Sequence, residues 1–309
     1  MANQFPATGA ITYESNVDLL NKAIEAIWMR RDEHSDPIDS LFETINVQSG
    51  NTHIFSSVGS VVGLPQINND TDPRPYVQPA PGYDQTYTMV QRRSGIRVTD
   101  QALRYDRFGK LVAMTSGLVK SAKRVYTYQY AGVINGAFAS TTSADAAYLC
   151  SDSHPQENPE AGTYDNLGSG ALSGATLQAL RLLGMKMTNE MGYPDAVIMK
   201  KLLVPPDLEQ KAMELTQSVK RAEDALNAET QLISNLEVRV SPFLSSTTAY
   251  FGFGDKVGEE KGLICVELCA PTMKDNNPSD ADMKIDKGIK MIFAVGAYSG
   301  RNIFGATGA

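Results

Sequence analysis

Between Thr99 and Ala139 the apolar residues keep the period of one long helix, which limits this chain more than any other stretch does. Leu103, Leu111, Val112, Leu118, Val119, Ala122, Val125, Tyr126, Val133 and Ile134 supply its apolar stripe. Thr99 or Asp100 is a competent N-cap. Gly109, Gly117 and Gly132 weaken the run by about 1 kcal/mol each relative to alanine. Some 40 residues rising about 1.5 Å each make a rod of about 60 Å. A compact domain does not need such a rod, so the expected subunit is extended and built along it.

What precedes the rod is punctuated differently. Residues 1–14 read as an extended arm with Pro6 and Gly9. A helix is expected from Ser15 or Asn16, carrying Val17, Leu20, Ile24, Ile27 and Trp28 on one face. Trp28 suits either the core of this helix or a contact with another subunit, because aromatic residues are enriched in both. Strand-like pieces such as Thr52-His53-Ile54-Phe55 follow. Then come Pro65, Pro73, Pro75, Pro79 and Pro81 among Asn, Asp and Gly, where proline blocks helix and removes ladder donors. Strand character returns at Tyr83–Arg93. Two strand-like arms around a proline-rich tip predict a long projecting hairpin.

Beyond the rod, Ala175–Met191 is expected to be helical, with Leu177, Leu180, Leu183 and Met187 inward and Gly192 as its stop. Ile198–Val204 reads as a buried strand, and Pro205-Pro206-Asp207 opens a further helix. Leu236–Val240, Ala249–Phe253, Leu263–Leu268 and Ile289–Val295 read as strands, the last after an acidic turn at Asp275–Asp282. Helices and strands are both expected.

Composition sets bounds on function. The net charge of −7 over 309 residues argues against gripping nucleic acid, since phosphate contacts need a basic surface. It allows a container whose wall faces DNA. Three cysteines, Cys150, Cys265 and Cys269, do not make a secreted disulfide framework. No apolar run reaches the roughly 20 residues of a membrane span, and the N-terminus lacks a secretory signal. The expectation is a soluble protein made in a cytoplasm, without membrane contact.

Catalytic chemistry finds little footing. Gly168-Ser169-Gly170 with Gly174 ahead of a helix lacks the Lys-Ser/Thr of a phosphate loop, and reads as a flexible helix entry. Cys150 with His154, or Cys265 with Cys269, falls short of the four closely spaced ligands of a zinc site. His34, His53 and His154 are the only histidines, and none stands beside a serine elbow. His154-Pro155 reads as a turn contact. No catalytic residue, cofactor or metal is expected.

One stretch resembles a known family. Leu149-Cys150-Ser151-Asp152-Ser153-His154-Pro155, Asn166-Leu167, Ala171-Leu172-Ser173, Ala175-Thr176-Leu177, Gly192-Tyr193-Pro194 and Lys201 through Glu209 occur in the order found in the major capsid proteins of tailed bacteriophages. They are most similar to the Mu-like head subunits, which implies the α+β capsid fold shared with encapsulins. The resemblance implies an N-terminal arm and helix over 1–45 and an extended hairpin loop over 46–97, lying on a neighbour. It implies a peripheral domain with the spine helix over 98–171, an axial domain over 172–285, and a strand returning to the periphery over 286–309. The implied function is a non-enzymatic shell subunit, assembling with itself as pentamers and hexamers in the host cytoplasm. In the virion it encloses double-stranded DNA without reading its sequence, with portal, scaffolding and decoration proteins as partners. Some relatives carry a leading scaffolding segment, and here the arm starts almost at Met1, so a separate scaffold or none is expected. Others join subunits through a lysine of the extended loop, but no lysine stands between Lys22 and Lys110. A non-covalent shell is therefore expected. Candidate contacts are Phe5, Trp28, Tyr76, Tyr83 and Tyr87, with Arg92, Arg93 and Arg97 facing acidic groups on a neighbour. An encapsulin-type compartment, a tail tube or sheath, and a soluble α/β enzyme are the other readings.

Overall fold

The computed structural model describes residues 36–61, 79–99, 110–156, 162–189, 192–217, 236–254, 262–276 and 284–308. In chain order, a 3₁₀ turn at Pro37–Leu41 precedes β1 (Glu43–Asn46), β2 (Thr52–Val61), β3 (Pro79–Thr88) and β4 (Val90–Thr99). Next come α1 (Lys110–Asn135), the short strands β5 (His154–Pro155), β6 (Thr163–Tyr164) and β7 (Leu167–Gly168), and α2 (Gly174–Met185). β8 (Met199–Val204), α3 (Glu209–Gln217), β9 (Glu237–Val240), β10 (Tyr250–Gly254), β11 (Leu263–Asn276), β12 (Lys284–Ala297) and β13 (Ile303–Ala306) complete it. The expected helix over 15–28 lies outside the described residues; of the turn expected at Asp275–Asp282, Asp275 and Asn276 continue β11 and 277–282 lie outside the described residues. Two compact units form, one holding Gln91–Val125 and Pro271–Met291, the other Asp36–Val90, Tyr126–Ala270 and Ile292–Ala309.

The larger unit is organised on a five-stranded sheet in the order β7-β13-β10-β8-β9. β10 lies antiparallel to both β13 and β8, with Phe251 opposite Gly305 and Leu203. β8–β9 and β13–β7 run parallel. A strand covered on both faces reads as a continuous apolar run, and Tyr-Phe-Gly-Phe-Gly of β10 is buried throughout. Leu177, Leu180, Met199, Leu202, Val204, Tyr250 and Phe304 share one core.

α2 begins where Ser173 supplies both halves of a cap. Its hydroxyl accepts from Thr176 N–H, and Thr176 Oγ1 accepts from Ser173 N–H. The helix stops at Met185, six residues short of the expected end. Met187 still points inward at 3% exposure, but from a turn in which its carbonyl accepts from Asp195 N–H. Apolar spacing alone does not separate a last helical turn from such a fold-back.

α1 keeps the expected stripe in a stricter form: Leu118, Ala122, Tyr126, Tyr130 and Ile134 are all buried at four-residue steps. Its 26 residues span about 39 Å; of the two expected starts, Thr99 is the last residue of β4 and Asp100 lies outside the described residues. It ends at Asn135 rather than 139 because the chain is tied there. Asn135 Nδ2 donates to Phe243 O, Ser245 N–H donates to Asn135 Oδ1, and Thr141 Oγ1 donates to the freed Val133 carbonyl. Tyr126 stacks on Phe293 and Tyr130 on Phe42, at 4.1 and 4.2 Å between ring centroids. The Tyr126 hydroxyl donates to Glu267. Burial, then the bond and the charge of Glu267, push that hydroxyl far above its ordinary range.

A second sheet runs β1-β11-β12-β4, with β1 parallel to β11 from Glu43↔Ile264 to Asn46↔Glu267. β11 pairs with β1, and β13 enters the five-stranded sheet.

Candidate assembly surfaces

β2 and β3 pair antiparallel, Thr52↔Thr88, Ile54↔Thr86 and Ser56↔Asp84, and so form the two arms of the expected hairpin. Because side chains alternate across a strand, one face collects Thr52, Ile54, Thr86 and Thr88, all exposed. Ile54 is the largest apolar residue on it, at 58% exposure. The other face carries His53, Phe55, Gln85 and Tyr87. Phe55 and Tyr87 pack into a core with Met89, Ile264, Val266, Ile292 and Tyr298.

Tyr87 was expected at a subunit contact, and the structure corrects this. It is 4% exposed within the single chain, its ring meets Phe55 edge-on, and its hydroxyl donates to Ala297 O at 3.0 Å. Burial pushes that hydroxyl above its ordinary range. A β-carbon at Gly296 would lie 2.5 Å from the ring's Cε1, so glycine on β12 makes the seat for this tyrosine. The alternation of Tyr87 with Thr86 and Thr88 carries the signal for burial; an aromatic in a hairpin arm does not by itself mark a surface.

Tyr83 is half-buried. Its carbonyl accepts from Tyr298 Oη at 2.9 Å, and its own hydroxyl reaches Pro155 O at 3.5 Å. Arg92 is half-buried and Arg93 and Arg97 are exposed on β4, an edge strand. Charged side chains on an edge discourage unplanned strand pairing, and Arg92 and Arg97 already have an interaction within the chain. Phe5, Trp28 and Tyr76 lie outside the described residues.

The sequence reading missed a cluster around His154. Expected as a turn contact, this residue is fully buried and begins β5. Its Nδ1 lies 2.7 Å from Asp145 Oδ2 and its Nε2 3.1 Å from Asn166 Oδ1. Tyr164 stacks on the imidazole at 4.5 Å, and the Arg301 guanidinium lies 4.7 Å from the Tyr164 centroid. Asn166, also fully buried, donates from Nδ2 to the carbonyls of Leu149, Gly300 and Ile303. The stretch from Leu149 to Asn166, which carried the resemblance in sequence, thus closes on itself in space. The order of its residue types was the available signal; the partner Asp145, outside that stretch, had none.

Cys150 is buried and burial pushes its thiol up; Cys265 is buried as well. One pocket of about 220 Å³ is lined by Asn135, Phe138, Leu244, Ser246, Phe251 and Thr307 among others. No ionisable side chain lines it, and drug-sized ligands occupy pockets of about 300–1,000 Å³. Among the described residues no three His, Cys, Asp or Glu side chains cluster as metal ligands. No described helix is long and apolar enough to cross a membrane.

A family model of phage capsid proteins matches residues 82–301. No curated protein matches the chain. Among solved structures, the capsid of cyanophage P-SCSP1u is similar at 12% identity and a TM-score of 0.57, over 88% of each chain. Microbacterium phage Oxtober96 is similar at 11% identity and 0.56, over 88% of this chain and 90% of that one. A virus-like particle from Pyrococcus furiosus reaches 0.51 at 9% identity, over 93% and 98%. At such identities the likeness is one of fold: the α+β capsid fold. The Mu-like group is not singled out. With the family model spanning most of its length, the chain belongs to the phage capsid protein family.

Proposed function

We propose that this chain is the repeated subunit of an icosahedral head shell around double-stranded phage DNA, present as pentamers and hexamers without covalent links between subunits. The observation that carries this reading is the family match over residues 82–301. The net charge of −7 suits a wall that encloses DNA without gripping it. The stretch from Lys22 to Lys110 has no lysine between its ends, which removes the nucleophile for a link from the hairpin. Shell closure turns many weak contacts into one strong assembly. Portal, scaffolding and decoration proteins are the further partners, and assembly takes place in the host cytoplasm.

The hairpin over 46–97 lies on a neighbour in this reading. The blocks 98–171 and 172–285 form the peripheral and axial parts, and residues 286–309 return. Phe5, Trp28, Tyr76, Tyr83, Arg92, Arg93 and Arg97 are its contact residues. Tyr83→Ala is expected to cut particle yield several-fold while the unassembled subunit keeps its denaturant midpoint. Unchanged yield would remove Tyr83 from the list.

Electron microscopy of protein sedimented from expressing cells, with any neighbouring scaffold gene co-expressed, tests the reading. Closed shells tens of nanometres across are expected, and they should run on a denaturing gel as one 33.5 kDa band. A uniform small oligomer would sink the shell, and a ladder of multimers would sink the absence of links. The likeness to the Pyrococcus particle supports a second reading, a compartment without a genome. Nuclease-protected DNA in particles from phage-producing cells separates the two.

A further inference from the structure

The net charge of −7 is a difference between two unlike parts of the chain. The stretches Gln91–Val125 and Pro271–Met291 of the smaller unit hold thirteen lysines and arginines against six aspartates and glutamates, a net +7. All other residues together hold fifteen against twenty-nine, a net −14. The chain average therefore hides a basic unit in an acidic protein. It is the basic unit that can meet phosphate.

Part of this charge stands on one helix with no acid to offset it. The 26 residues of α1 include no Asp or Glu, and its charged residues are Lys110, Lys120, Lys123 and Arg124. Solvent-facing helices ordinarily mix the two signs, with opposite charges three or four residues apart. The helix dipole does not account for these cations either, since it favours them in the last turn, which has none. Lys123 is half-buried and engaged within the chain. Lys120 and Arg124 are exposed, one turn apart, on the face opposite Leu118, Ala122 and Tyr126. Their side chains form no ion pair among the described residues. Like charges at this spacing repel and weaken a helix. Lying about 5–6 Å apart, the two cations would exchange that repulsion for attraction once an anion met both.

We propose that this face of α1 meets the backbone phosphates of packaged duplex DNA, with Lys120 and Arg124 neutralising a phosphate each. The proposal rests on the reading of the chain as a shell around phage DNA, and adds which part of the subunit the DNA touches. A neighbouring subunit is the other source of anions, because the rest of the chain is acidic. Lysine argues against it: it is depleted where proteins meet, and it is a regular phosphate contact in nucleic-acid complexes. So small a contact reads no sequence and weakens with salt. Repeated over a shell, it holds DNA against the wall. The acidic remainder repels DNA, so the same field orients the subunit toward its contents.

Binding of the unassembled full chain to fluorescent linear duplexes of two unrelated sequences is followed by anisotropy between about 50 and 200 mM salt. The two duplexes should bind equally, and affinity should fall with salt. Each phosphate contact adds about 0.9 to the slope of log affinity against log salt. Lys120→Gln with Arg124→Gln should therefore lower that slope by about 2, so that the affinity lost across this range shrinks about tenfold. Lys120→Arg with Arg124→Lys, which keeps both charges, should keep the slope. Lys186→Gln with Lys211→Gln, two exposed lysines of the larger unit, should keep it as well. Unfolding midpoints separate lost contact from lost fold; if the first pair does not fold, Lys120→Gln alone should lower the slope by about 1. An unaltered slope in the folded glutamine variants would overturn the proposal, as would an equal change in the Lys186 and Lys211 pair, or no binding at the lower salt. Fewer particles at an unaltered slope would give this face to a neighbouring subunit and overturn it too. Absence of shells from the unaltered chain would count against the shell reading alone, because DNA binding is read on the unassembled subunit.

Discussion

Asn166→Leu is expected to leave most of the chain insoluble, with any soluble fraction losing about 5 kcal/mol of stability. The side chain is fully buried, and no apolar residue replaces its polar contacts. Ser151 N–H loses its acceptor and His154 Nε2 its partner, and the carbonyls of Leu149, Gly300 and Ile303 lose the two N–H groups they share. Each buried polar group left bare costs about 1–3 kcal/mol. The Gly300 carbonyl keeps its bond from Ile303 N–H, so the costs do not simply add. A loss near 5 kcal/mol is still about the whole stability of a weak domain. Asn166→Asp separates the two halves of the role, because it keeps an acceptor for Ser151 and His154 and loses the donor to three carbonyls. Denaturant midpoints of the unassembled subunit check this. A midpoint for Asn166→Leu equal to the unaltered chain would mean that the hub contributes nothing.

The second large effect is at Tyr87. Tyr87→Ala removes a buried aromatic ring from between Phe55, Met89 and the Gly296 seat, and truncations of this kind cost about 3–5 kcal/mol. Tyr87→Phe keeps the ring and loses only the bond to Ala297 O, for about 1–2 kcal/mol. The ordering matters more than either value. Any loss of particles in Tyr87→Ala should follow a loss of folded subunit, seen as a lowered unfolding midpoint before assembly. An alanine variant that unfolds like the unaltered chain yet makes no particles would return Tyr87 to the surface between subunits.

Elements governed by near neighbours in sequence were legible. The four-residue stripe of α1, the cap at Ser173, the apolar run of β10 and the two arms of the hairpin follow from periodicity and local hydrogen bonding, so a sequence window contains their cause. The end of α2 was not legible, because Met187 is apolar in either geometry and the choice is made by Asp195 reaching back to it. Nor was the register of β1 on β11, whose partners come from opposite parts of the chain. β13 was not read as a strand at all, because Ile303 to Ala306 is four residues with a glycine inside. Its strand conformation is dictated by the edges of β10 and β7. The His154 hub gathers residues 145, 154, 164, 166 and 301, and only the span from 149 to 166 carried a motif. The family was legible from that motif; the physical reason for the motif needed the fold.

The strand order β7-β13-β10 places β13 inside a sheet rather than at its rim. During synthesis β7 and β10 emerge first and wait with open edges until residues 303–306 leave the ribosome. A chain broken off before that point has nothing to fill the gap, and the Ile303 carbonyl never reaches Asn166.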